Sequence, residues 1–134
     1  MTLLELTLAV AIFAITVGVA AQSLISYYAA MDMQNQRVIA VNHCRTIFSE
    51  MRTIRDANPN TTTSPHNCQD AIVAQYPNGA HLAGPALLRN AAVDVAYEND
   101  DIIANPLVPT LTVQWQDLRG RTMTLRMSSA ITDR

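Results

Sequence analysis

Two patterns divide this chain. From Leu6 to Met31 no side chain is an acid, a lysine, an arginine or a histidine, and Leu6, Leu8, Val10, Ile12, Phe13, Ile15, Val17, Val19, Leu24 and Ile25 leave no polar face. At about 1.5 Å per residue, such a helix is long enough to cross a hydrocarbon layer of about 30 Å. From Val38 the pattern becomes one-sided. Val41, Cys44, Phe48 and Met51, with Ile47 and Ile54 beside them, oppose Asn42, His43, Arg45, Ser49 and Arg52. Asn58-Pro59 should end this helix, because the residue before proline is pushed out of the α region and proline lacks the next donor. One helix of roughly 55 residues follows, apolar all round at first and amphipathic later.

Beyond a polar loop at 58–65, a short helix is predicted over Cys68–Gln75, closed by Pro77-Asn78-Gly79. Three segments then alternate with period two: Val93, Val95, Tyr97; Leu111, Val113, Trp115; and Met123, Leu125, Met127. The last two flank Asp117-Leu118-Arg119-Gly120-Arg121, a hairpin loop with glycine where positive φ is expected. The pattern predicts an α+β fold. A long N-terminal helical spine carries a small antiparallel meander, packed on Val41, Phe48 and Met51 of its C-terminal half. The expected division is residues 1–31 as hydrophobic anchor and 32–134 as globular head.

Glu5 breaks the apolar run at its start and is the only charged side chain before Asp32. A carboxylate inside a span costs a few kcal/mol unless paired, so an intramembrane acid is a functional-site hypothesis that needs a partner. The nearest cation is the α-amino group of residue 1, from the same chain or a neighbour. A cleaved secretory signal fits poorly, since no Lys or Arg precedes Arg37. The expectation is that a topology-setting leader has been removed and that Met1 is a mature N-terminus.

Composition narrows the rest. The chain has 134 residues, 49% of them hydrophobic, and a net charge of −2, which implies no strong attraction to nucleic acid. What remains beyond the span suffices for one small domain, a size that benefits from staples.

Met1-Thr2-Leu3-Leu4-Glu5-Leu6, running into Ala9-Val10-Ala11-Ile12-Phe13-Ala14-Ile15, resembles the mature N-terminus of type IV pilins and of the pseudopilins of type II secretion. The resemblance covers about the first quarter of the chain. It implies removal of a basic leader by prepilin peptidase, N-methylation of Met1, and a pairing of Glu5 with the N-terminal amine of an adjacent subunit during assembly on an inner-membrane platform. The subunit would wait in the bacterial inner membrane and end in an extracellular filament built from copies of itself or of related pilins. The family's proline near position 22 is replaced by Gln22, and position 14 is Ala14, so Gly18 is the one loose residue in the span. The C-terminal part, Val113 to Asp117, Arg119-Gly120-Arg121 and Ile131-Thr132-Asp133-Arg134, resembles minor pilins of the pilus-modification type more loosely.

Cys44 lies on the helix face that looks toward the domain and Cys68 in the segment that folds back first, so a bridge is sterically plausible. The resemblance places both outside the cytoplasm, where disulfides persist. The competing reading is two buried thiols. A metal site from His43, Cys44, His66 and Cys68 matches no defensible zinc spacing, and no metal or other cofactor is expected. Glu98-Asn99-Asp100-Asp101 reads as a solvated turn before it reads as a calcium site, and Asn60-Thr61-Thr62 as a polar loop before a glycosylation site. Arg119 and Arg121 on a turn read as solvated, with no nucleic-acid partner expected. His43, His66 and His81 show no arrangement for catalysis, so no enzyme is expected. Three functions stay open: a pilus subunit, major or minor; a secretion pseudopilin; and an anchored surface domain that binds a partner without polymerising.

Overall fold

The structure, a computed structural model, describes residues 2–97 and 106–132. Its class is α+β, with one long helix, one short helix and a four-stranded antiparallel sheet. Helix α1 (Leu3–Ala57) is continuous through Gly18 and Gln22. Its end follows from Asn58, whose backbone N–H and side-chain Nδ2 both donate to the Ile54 carbonyl at 3.0 Å, before Pro59. Two compact units divide the chain, residues 1–35 and 36–134.

Within the first unit the side chains are exposed on all sides, including Leu3, Phe13 and Ile15. Four of the hydroxyls there are satisfied by the helix itself. Thr7 donates to the Leu4 carbonyl, Thr16 to Phe13, Ser23 to Val19 and Ser26 to Gln22, at 2.8–3.0 Å. Such back-bonding lets polar side chains sit in hydrocarbon without water.

The second unit packs the sheet on the C-terminal part of α1. Strands β1 (His81–Ala83), β2 (Arg89–Tyr97), β3 (Pro109–Gln116) and β4 (Thr122–Ser128) lie in sequence order. Helix α2 (Asn67–Gln75) and α1 share one cluster with the sheet. Ala40, Cys44, Ile47, Phe48 and Met51 meet Cys68 and Ile72, the alternate residues Val93, Val95, Tyr97, Leu111, Val113 and Trp115, and Leu88, Leu107 and Ile131. The inward residues of β2 and β3 are those the alternation predicts. On α1, Cys44, Phe48 and Met51 are in the core as the pattern predicts, with Ile47 beside them, but Ala40 is buried where Val41 was expected and Val41 is half-buried.

Strand β1 is an addition to the expected meander. Three residues are too few to show a period, and β1 exists through its pairing of Leu82 with Val93. It runs into Gly84, where a Cβ would lie 2.4 Å from the Ala91 Cβ and 2.6 Å from its carbonyl oxygen. Only glycine fits that approach. The register of β2 shifts between Arg89 and Ala92, with Asn90 at φ 49°.

Candidate functional site

The N-terminal turn of α1 holds the residue that the sequence marks most strongly. Glu5 Oε2 accepts a long hydrogen bond, 3.4 Å, from the Thr2 backbone N–H, while Thr2 contributes its carbonyl to the N–H groups of Glu5 and Leu6 at 3.1 and 3.3 Å. Thr2-Leu3-Leu4-Glu5 therefore has the spacing of a capping box, with the carboxylate at the positive end of the helix dipole. That signal was present in the sequence. It gives Glu5 a local role in the single chain, and the group stays exposed to other donors. Met1, the expected site of N-methylation and the other half of the assembly pair, lies outside the described residues, as do Glu98-Asn99-Asp100-Asp101 and Asp133-Arg134.

Cys44 and Cys68 are buried, at 0% and 3% exposure, in the same core cluster. No disulfide joins them in the structure. The expected staple is thus not made, although both residues lie where the sequence placed them. Burial pushes the Cys44 thiol above its ordinary range, offset only in part by a backbone hydrogen bond.

Other side chains hold α1, α2 and the sheet in place. Trp115, 2% exposed, is the core aromatic expected and also donates from Nε1 to Gln36 Oε1 at 2.9 Å. Tyr76 donates to Glu50 Oε2 and Tyr97 to the Tyr76 carbonyl, each at 2.6 Å. Burial pushes both phenols up to about 12, and at Tyr76 the Glu50 carboxylate adds to that. None of these three links left a mark in the linear pattern, because each joins residues at least 21 positions apart.

Asn60, the sequon asparagine, is engaged from both ends of its amide. Oδ1 accepts the Cys68 N–H at 2.8 Å, capping α2 from outside, and Nδ2 donates to the buried Gln69 Oε1 at 3.0 Å. Both ends of the sequon amide are thus in structural use. In the β3–β4 hairpin, Asp117 accepts from the backbone N–H groups of Arg121 and Arg119 at 2.8 and 2.9 Å and pairs with the Arg121 guanidinium at 2.8 Å. Arg121 is committed to the turn.

Among the described residues no three His, Cys, Asp or Glu side chains converge as a metal set. His81 pairs with Asp94 across β1 and β2 on the exposed side. A groove of about 420 Å³ lies between α1 and the end of β4, lined by Arg45, Phe48, Arg52, Met127, Ser128 and Ser129. Arg52 donates to the Ser129 hydroxyl there at 3.3 Å. No nucleophile–base pair borders it. Comparison with family models, curated proteins and solved structures finds no match to this chain.

Proposed function

We propose that this chain is a structural subunit of an extracellular type IV pilus filament. Its apolar helix serves as membrane anchor before assembly and as filament core afterwards, and residues 36–134 form the outer surface. The observation that carries this reading is Glu5, the sole side-chain charge ahead of Asp32, exposed in the first turn of a helix whose next 26 residues, Leu6 to Met31, carry none. A simple anchor has no use for an acid at that depth. Pairing with the α-amine of an adjacent subunit neutralises two charges that are each costly in hydrocarbon and sets an axial register. In this reading Met1 is processed and N-methylated. In an oxidising compartment Cys44 and Cys68, already in one core, form a bridge that closes a loop of about 25 residues and adds ~3 kcal/mol.

The test is Glu5→Ala in cells without a wild-type copy. The variant should insert in the membrane as well as wild type or better, and accumulate there with few or no filaments by electron microscopy. Glu5→Gln should be nearly as damaging, since it keeps hydrogen bonding and removes charge. Normal filament yield from Glu5→Ala would reject the assembly role and favour an anchored binding domain. Intact-mass analysis of sheared filaments tests the N-methylated Met1, and non-reducing peptide mapping tests the bridge.

A further inference from the structure

Among the described residues of the second unit, three large apolar side chains are well exposed: Val38 at 55%, Leu87 at 82% and Leu118 at 79%. They come from a helix and two different loops, yet the fold gathers them at one end. Arg89, which opens β2, pairs with Gln116, which closes β3, so the loop carrying Leu87 and the hairpin carrying Leu118 leave adjacent strands on the same side. Asn90 Nδ2 holds Gln116 Oε1 at 2.9 Å across that edge. Trp115, next to Gln116, is bonded to Gln36, two residues before Val38. At the opposite end, Arg52 and Arg55 of α1 reach Ser129 and the Thr132 carbonyl. The direction of the sheet along the helix is therefore settled. The exposed leucines lie at the Gln36 end of the second unit.

Among the described residues of the second unit the charge at this end is mostly positive, and the nearest acid ahead of it in the chain is the exposed Asp32. Arg37, Arg89, Arg119 and Arg121 are exposed there, against Asp117, which Arg121 already neutralises. Glu50, Asp56 and Asp94 lie further along α1 and β2. A chain of net charge −2 thus presents a cationic, leucine-tipped end. Gln36 follows Met31 by five residues, so the chain itself tethers this end close to the apolar segment.

We infer that this end docks on the surface of an anionic phospholipid bilayer, with Leu87 and Leu118 entering the acyl boundary and Arg37, Arg89 and Arg119 meeting phosphates. Apolar side chains ringed by arginine, on a protein otherwise acidic, are the chemistry of interfacial binding. The inference rests on reading Leu6–Met31 as a membrane anchor. Before assembly, such docking would hold the unanchored part of each subunit against the membrane and keep the leucine tip from pairing with other proteins.

The experiment uses the full chain in nanodiscs of phosphatidylcholine with and without phosphatidylglycerol. Leu118→Trp, placed where the wild-type side chain is already exposed, should lose fluorescence to lipids brominated high on the acyl chain, whereas buried Trp115 in the wild type should not. The loss should be smaller without phosphatidylglycerol and in Leu118→Trp combined with Arg89→Gln and Arg119→Gln. As a second measurement, backbone exchange in wild-type residues 84–88 and 117–121 should be slower in discs than in neutral detergent. A chain that enters discs with Leu118→Trp unquenched and both loops unprotected overturns the docking and leaves the anchor reading intact. Leucine burial that instead follows the number of chains per disc would assign this end to a second copy and likewise overturn it. Failure of the chain to enter discs at all rejects the anchor reading along with the inference.

Discussion

Asn60 and Gly84 each decide a backbone path with little side-chain mass. Asn60 satisfies an otherwise orphan N–H of α2 and the buried amide of Gln69 together. Asn60→Ala should lower stability by about 1–2 kcal/mol, read as the denaturant midpoint of the full chain in neutral detergent. Gly84→Ala places a methyl inside the contact distance of Ala91 backbone and side chain, so β1 must separate from β2. A cost of about 1–3 kcal/mol is expected, with loss of exchange protection confined to residues 81–83 and 91–94. An unchanged midpoint in either variant would contradict the packing described for it. Glu5 is different in kind. Its position is conspicuous in the sequence because it is a charge among apolar residues, while its bond from Thr2 needed only the Thr-x-x-Glu spacing.

The β3–β4 hairpin is the element with the clearest pH dependence. The backbone N–H of Arg121 foremost, opposed by desolvation and helped by the Arg121 guanidinium and the N–H of Arg119, holds the Asp117 carboxyl below its ordinary value of 3.8. Asp117 therefore binds its proton more weakly folded than unfolded. Its contribution is present above pH 4 and is lost as pH falls through the lower folded value. Asp117→Asn should remove that acid-side dependence and weaken exchange protection in the turn, while Gly120, at φ 75°, keeps the chain reversal possible. Retention of the wild-type acid profile in Asp117→Asn would assign the dependence to other carboxylates.

At the scale of the whole protein, the tyrosines link α1, α2 and β2 and set the alkaline limit. Tyr76 and Tyr97 hold their protons up to about 12 when folded, against 10 for the unconstrained phenol. Unfolding above pH 10 therefore releases protons. The stability they contribute is complete below pH 10 and should decline between pH 10 and 12, an effect that Tyr97→Phe should diminish in a pH series of thermal melts. The elements themselves were legible in the linear pattern: a charge-free helix, its amphipathic continuation to Asn58, and the alternation of β2, β3 and β4 each repeat a local period that any fold must respect. So was the acid at position 5. Tertiary structure alone decided the rest. It buried Ala40 in place of Val41 on α1, created β1 by pairing, joined Gln36 to Trp115 and Glu50 to Tyr76, and brought Val38, Leu87 and Leu118 to one end. These outcomes depend on which surfaces close over one another, and contacts between positions far apart in the chain leave no period along it.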